Sequence, residues 1–434
     1  MVEEGFKRKL SAIPSADAVD YSYPTRFSKK GRLKLRILKH VVWLIATAII
    51  INGCATYYMN ETECNLTKTK VNPMWDAEKL DEAFQFACEL GSTSLVVATN
   101  GEIVKSMGEL DKPLRVHSVR KALLSAIVGQ HVGTGPNQIN LESTLAELGI
   151  NDKPNPLAPL QQQAKVLHLI KSTSGINHPA AAEGGLMERD KDKRLGHKPN
   201  PPGTVWAYNN WDYNALTTIF QKETGLTIYE AFNKGIAEPL EMQDFNENSV
   251  FYSADERLSV HRKAGFKMSA RDLAKFGQLY LNKGKWNGRQ IIPEEWIDRI
   301  TDDYTTTGKK LLGSGHGYLW WVPVDNKSRE MGIPEGTYVA SGFGNQRIVV
   351  IPYWDTVIVH QVNVIDCVVS VMKKQETTVK GAIIHLYMCK FPLFSLREGC
   401  QECGFVGNFM GSGFVEILSR IIDARTTVEG GRRE

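Results

Sequence analysis

Ser118-Val119-Arg120-Lys121 sets a serine and a lysine one helical turn apart, so that both project from the same face. Well downstream, Tyr208-Asn209-Asn210 offers a tyrosine and an amide two residues apart. Brought into one pocket, these side chains make a nucleophile with two basic neighbours and no histidine. An alkyl hydroxyl is a weak nucleophile and needs a neighbouring base. A lysine serves if desolvation and nearby positive charge leave it partly neutral, and a tyrosine phenolate serves on the same terms. A serine at a helix N-terminus gains further from the local positive potential and exposed N–H groups, which favour a developing oxyanion. The chemistry expected is acyl transfer.

Spacing alone does not single these residues out. Ser370-Val371-Met372-Lys373 has the same spacing as the first motif, and Tyr58-Met59-Asn60 and Tyr280-Leu281-Asn282 repeat the second. Context separates them. Ser118 follows a strand-like pair and opens an apolar run at residues 122–128, which reads as a buried helix, whereas Ser370 continues a strand-like run. Tyr280 sits inside an amphipathic helix and Tyr58 in a polar linker. Tyr208 follows Pro201-Pro202-Gly203-Thr204, a turn able to hold it rigidly at a pocket edge.

The elements that must position these groups are legible in part. Residues 76–90 have Leu80, Phe84 and Cys88 on one helical stripe. Residues 95–107 read as a hairpin turning at Asn100-Gly101, a type I′ pair. From about 140 to 260 the pattern is mostly helical, broken by a Pro/Gly/Lys-rich stretch at 180–203. Residues 269–282 form another amphipathic helix. Strand character returns at 317–322 and at 338–362, with a turn near Tyr353-Trp354-Asp355, and residues 414–425 are a last amphipathic helix. Strands at both ends of a helical middle predict an α/β (α+β) domain: one antiparallel sheet flanked by helices, with an inserted, mainly helical lobe at about 122–260. Residues 366–410 fit no pattern and read as an insertion.

The 434 residues carry a net charge of +4, much of it before residue 40, where residues 28–39 (SKKGRLKLRILK) are strongly basic. Beyond them the balance is slightly acidic, so no nucleic-acid partner is expected. The basic stretch runs into an apolar segment at 41–52 (VVWLIATAIIIN), a length that suits a secretory h-region better than a full membrane span. Ile51-Asn52-Gly53-Cys54 resembles a bacterial lipoprotein cleavage box with Cys54 as the lipidated residue; the alternative is an uncleaved signal-anchor. Residues 1–54 are then a basic segment plus a signal peptide or a membrane anchor, and both readings tether the body to a membrane outside the cytoplasm, in the cell envelope. Residues 55–75 are then a linker and 76–434 the functional domain. Six further cysteines, at 64, 88, 367, 389, 400 and 403, are free to pair in an oxidising compartment. Cys400-Gln401-Glu402-Cys403 lacks a second pair of metal ligands, and no metal site is expected.

The order of hairpin, S-x-x-K, helical lobe, Y-x-N and glycine-rich strand resembles the serine beta-lactamase and penicillin-binding-protein superfamily. The chain is most similar to the class C-type serine hydrolases, which include esterases and 6-aminohexanoate-dimer hydrolases. Residues 118–126 (SVRKALLSA), 169–175 (LIKSTSG), 202–211 (PGTVWAYNNW), 268–274 (MSARDLA) and 317–321 (GYLWW) carry the likeness, which spans about 76–365 and the last helix. It implies a beta-lactamase/DD-peptidase-like fold, no cofactor, Ser118 as the acylated nucleophile, and Lys121 and Tyr208 sharing the proton transfers. Asn210 would hold Lys121 or the substrate amide.

The family's third element, K-T-G or a His variant on a strand beside the serine, is missing. Ala340-Ser341-Gly342-Phe343-Gly344-Asn345-Gln346 occupies the matching place. Substrate would lie against Ser341, Gly342, Phe343, Gly344 and Gln346, and the strand backbone would complete an oxyanion hole with the Ser118 N–H. Without the lysine, the usual partner of a beta-lactam or peptide carboxylate is gone, which favours a small ester or amide substrate over a beta-lactam. The rivals are a non-catalytic or slowly acylating penicillin-binding or sensor-like envelope protein, a beta-lactamase, and a metal-dependent hydrolase using Cys400, Cys403 and histidines. No G-x-S-x-G elbow occurs, which removes the α/β-hydrolases. His117 and His168 read as structural and His316 as a turn residue near the cleft, while Trp206, Trp211, Trp320 and Trp321 are candidates to line the pocket.

Overall fold

The computed structural model describes residues 65–70, 72–181, 185–363 and 412–426. The basic and apolar N-terminal segments, Cys54, and the 366–410 insertion with its four cysteines lie outside them. Among the described residues no helix is long and apolar enough to cross a membrane.

An eight-stranded, wholly antiparallel sheet has the order β2-β1-β13-β12-β11-β10-β9-β8. Its strands are β1 (Ser94–Thr99), β2 (Glu102–Gly108), β8 (Thr305–Thr306), β9 (Gly315–Gly317), β10 (Trp320–Val322), β11 (Tyr338–Gly342), β12 (Gln346–Ile351) and β13 (Thr356–Gln361). Their side chains alternate between two cores, as the period of two demands. Val96, Ile348, Val350, Val357 and Val359 face one side. Leu95, Val97, Val349, Ile351 and Ile358 face the other.

The second face is covered by two helices from opposite ends of the chain. Helix α1 (Ala77–Glu89) starts where the Asp76 carboxylate accepts from the Glu78 and Lys79 N–H groups, and it buries Leu80, Ala83, Phe84 and Ala87. Near its end Cys88 is disulfide-bonded. Helix α9 (Ser412–Asp423) packs Phe414, Ile417, Leu418 and Ile421 into the same core. The first face is covered by α2 (Arg120–Gln130), buried from Arg120 to Gly129, and by α7 (Ala270–Leu281). Helix α7 lies so close to the sheet that a Cβ added at Gly277 would come within 2.5 Å of Val357 Cγ1. Helix α8 (Glu294–Asp302) closes the edge and sets Trp296 against Tyr318, 4.9 Å between ring centres.

Between α2 and α7 lies the lobe, with α3 (Val166–Ile170), α4 (Gly185–Leu195), α5 (Asn210–Thr224) and α6 (Ile228–Phe232). It is less helical than its pattern predicts. The stretch read as a break contains α4, and residues 250–268 are a hairpin, β4 (Val250–Asp255) and β5 (Ser259–Met268). With β3 (Leu114–Arg115) this hairpin makes a second sheet, in the order β3-β5-β4. A two-stranded ribbon, β6 (Lys285–Trp286) and β7 (Arg289–Gln290), follows α7.

The hairpin escapes an apolar-period test because its inward residues are polar. Ser259, His261 and Lys263 are buried while Val260 and Arg262 are exposed. Ser259 is met by Asp152, 2% exposed, whose carboxylate also accepts from Trp211 Nε1 and the Val260 N–H, and the His261 ring is met by Thr218 Oγ1 and Asn151 O. The bonds to Asp152 outweigh the cost of burial and hold its carboxyl below its ordinary range.

Candidate active site

Strand β3 delivers the chain to the site through a 3₁₀ turn, His117–Val119, directly before α2. The Val116 N–H donates to Phe266 O at 3.1 Å, pinning the turn to β5. His117 takes a left-handed φ of 48° and sets its ring edge-on to Phe343 at 5.4 Å. Ser118 is therefore half-buried at the start of a buried helix, where backbone N–H groups converge.

Lys121, 2% exposed, donates a hydrogen bond from Nζ to Ser118 Oγ at 2.9 Å. Its Nζ lies between two aromatic faces, 4.6 Å from the Tyr208 ring centre and 4.8 Å from that of Tyr213. Tyr208 arrives on a loop tied to the lobe by Gly203 N–H to Thr173 O at 2.7 Å and Ala207 N–H to Ser172 O at 2.9 Å. Gly203 takes a φ of 86°, which a side chain would strain. Asn209 then caps α5, its Oδ1 accepting from the Trp211 N–H at 3.1 Å. Behind Tyr208, Tyr213 shares a 2.6 Å hydrogen bond with Ser172 Oγ, and burial, then the neighbouring Tyr208, pushes its phenol well above the ordinary range. Tyr213 is thus a neutral phenol beside Lys121.

The opposite wall is β11 and the turn after it. A Cβ added at Gly342 would fall 2.4 Å from Val116 O and 3.2 Å from Ser118 N, so only hydrogen fits between this strand and the Ser118 turn. Ser341 and Phe343 are half-buried beside it. Gly344 (φ 70°) and Asn345 (φ 59°) reverse the chain, and the turn is held from behind the sheet. Arg347 donates from Nη1 to Gly342 O at 2.8 Å and to Gln346 O at 3.0 Å, and from Nη2 to Asn345 Oδ1 at 2.7 Å. Burial lowers its guanidinium pKa to about 10. His360 donates from Nδ1 to Asn345 O at 2.7 Å, since a carbonyl can only accept, and its Nε2 accepts from Ser92 Oγ at 2.7 Å.

Not every expected residue is free to face Ser118. Gln346 is fully buried and donates its amide to Val362 O at 2.7 Å, so its side chain is spent on bracing the turn. Gly344 is buried. Asn210, the first residue of α5, is half-buried. Of the tryptophans, Trp321 stacks on Tyr208 at 5.5 Å and 15°, and Trp206 stands 6.1 Å from Trp321. Trp211 belongs to the Asp152 cluster and Trp320 to the core beside Tyr280. His168 Nδ1 accepts from the Lys165 N–H in a helix cap.

His316 is more deeply placed than a turn residue. It is fully buried on β9, 4.9 Å from Trp321 and 6.3 Å from Tyr208 between ring centres, and neither ring nitrogen has a partner among the described residues. Burial, with Lys121 and Lys309 nearby, drives its pKa down to about 3. His360 is likewise lowered to about 4, chiefly by burial. Both folded-state values lie below the ordinary histidine value, so the stability these neutral rings allow is complete above about pH 6.5 and is lost as pH falls toward 4 and then 3. At about 1.4 kcal/mol per pKa unit, each histidine accounts for a few kcal/mol. His316→Phe is expected to flatten the fall in urea-unfolding free energy between pH 6.5 and 4; a fall as steep as that of the wild type would contradict this assignment.

A family model described as Beta-lactamase matches residues 78–364. An uncharacterized protein of Alkalihalophilus pseudofirmus is 24% identical over 274 residues, covering 58% of this chain and 74% of that protein. Among solved structures, a Bacillus anthracis protein provisionally named a 6-aminohexanoate-dimer hydrolase aligns at 23% identity, with 64% of this chain and 75% of that one covered and a TM-score of 0.48. An octameric penicillin-binding protein homologue from Pyrococcus abyssi aligns at 18% identity over 66% of this chain and 73% of its own, also with a TM-score of 0.48.

Proposed function

The chain belongs to the beta-lactamase family, a serine hydrolase in general kind, and we propose that it cleaves a small ester or amide through an acyl-enzyme on Ser118. The observation that carries this reading is the 2.9 Å hydrogen bond from Lys121 Nζ to Ser118 Oγ, with the Tyr208 ring 4.6 Å from the same nitrogen. In the first step Ser118 Oγ bonds to the substrate carbonyl carbon, and its proton passes to the Lys121 and Tyr208 pair. The tetrahedral oxyanion is met by the Ser118 N–H and by the backbone after Gly342, at the N-terminus of α2. When the carbonyl re-forms, the bond to the leaving alcohol or amine breaks and that group takes the proton from the pair. A water then repeats the sequence on the ester of Ser118, releasing a carboxylic acid and restoring the serine.

Ala340, 2% exposed, stands where the family's strand lysine is usual, and Arg347 lies on the far side of the sheet against Phe414. No cation from β11 or β12 is thereby offered to a beta-lactam carboxylate at that place, which supports esters or amides over beta-lactams. The reading is tested by whether a fluorophosphonate, which bonds covalently to activated serines, labels the protein at Ser118.

A further inference from the structure

An aromatic wall leads from the nucleophile to a cluster of charge. Tyr208 stacks on Trp321, and Trp321 stands edge-on to Trp206. At the far end Arg194 lies over the Trp206 ring at 4.9 Å, and Lys309 Nζ is 5.9 Å from the ring centres of both Trp206 and Trp321. Both cations pair with one carboxylate: Asp190 Oδ2 is 3.1 Å from Arg194 Nε and 3.3 Å from Lys309 Nζ. Two positive charges on one negative leave a net charge of about +1 at the end of the wall.

The wall also has unmet hydrogen-bonding capacity. Trp206 Nε1, on a ring 6% exposed, and both nitrogens of His316, fully buried, have no partner among the described residues. A buried N–H without an acceptor costs free energy that a bound group can restore. A carboxylate seated between Arg194 and Lys309 would meet the surplus charge and give the Trp206 N–H its acceptor.

We propose that Arg194, Lys309 and Trp206 form a carboxylate-recognising rim, so that the substrates are esters or amides carrying an anionic group. This rests on the acyl-enzyme reading above. The rim joins the lobe, through Arg194 and Trp206, to the chain between β8 and β9, which carries Lys309, and uses no residue of β11, where the strand lysine is missing. Arg194 and Lys309 are each about a quarter to a third exposed, so screening limits the gain.

The test compares kcat/KM for three probes: p-nitrophenyl butyrate, which is neutral; mono-p-nitrophenyl glutarate, with the carboxylate on the acyl part; and p-butyryloxybenzoate, with it on the leaving group. Wild type, Lys309→Gln, Arg194→Gln, Lys309→Arg and Asp190→Asn are each measured. Each glutamine variant is expected to lower the anionic-to-neutral ratio about fivefold, the scale of a partly exposed charge pair. Lys309→Arg should keep the ratio, and Asp190→Asn, which frees both cations, should raise it. Damage to the fold would not reverse sign in this way. Whichever anionic probe responds shows on which side of the scissile bond the carboxylate sits. A ratio unchanged across all variants, or lowered by Asp190→Asn, overturns the rim. Failure of the wild type to turn over any of the three probes overturns the acyl-enzyme reading instead.

Discussion

Lys121→Met is expected to lower kcat on any accepted ester by about 10²- to 10⁴-fold, the range lost with a positioned general base. The fold should survive. Lys121 is 2% exposed between two tyrosine rings, and methionine nearly matches its length in a site lined by apolar faces. Replacing a buried polar head by a packed apolar side chain removes a desolvation cost, so the melting temperature should hold or rise. Ser118 would keep its place in the turn but lose the partner 2.9 Å from its Oγ. Steady-state kinetics with a parallel thermal melt checks both halves. Activity within tenfold of wild type would assign the proton transfer elsewhere.

Gly342→Ala should cost almost as much by a different route. The new methyl carbon would stand 2.4 Å from Val116 O and 3.2 Å from Ser118 N, and the nearest obstacle is backbone, which cannot rotate away. Either β11 moves off the nucleophile's turn or the turn moves off its helix. Both displace a backbone donor from the oxyanion, and losing one such donor costs about 10²- to 10³-fold in kcat. The strain also falls on a buried strand, so the melting temperature should drop together with activity, unlike in Lys121→Met. The discriminating measurement is kcat against KM: a rise in KM alone would mean that Gly342 only borders the substrate.

The sequence was most legible where a motif and its scaffold share one stretch of chain. Ser118 and Lys121 are three residues apart, and the apolar run after them forces a buried helix, so their meeting follows from local geometry. The Asn100-Gly101 turn and the amphipathic helices at Ala77–Glu89 and Ala270–Leu281 are equally local. Illegible elements depend on distant partners. Strand β5 has polar inward residues whose partners lie far off in the chain: Asp152 receives Ser259 Oγ, and Thr218 and Asn151 O meet the His261 ring. The β9–β10 turn uses Tyr318 (φ 49°) and Leu319 (φ 73°), neither a turn former, and Tyr318 O is held by Ser125 Oγ at 2.8 Å. The same holds within the site. Arg347 reads as an ordinary strand residue, yet three hydrogen bonds make it the brace of the turn beside the nucleophile. Gln346, one position earlier, points inward for the same reason of period two.

The central claim, a covalent acyl intermediate on Ser118, is tested most directly by intact-mass and peptide-level mass spectrometry after treatment with a fluorophosphonate. One adduct per chain is expected, mapped to the peptide containing Ser118, with none in Ser118→Ala and slowed formation in Lys121→Met. A wild-type protein that stays unmodified, or an adduct that persists in Ser118→Ala, would contradict it.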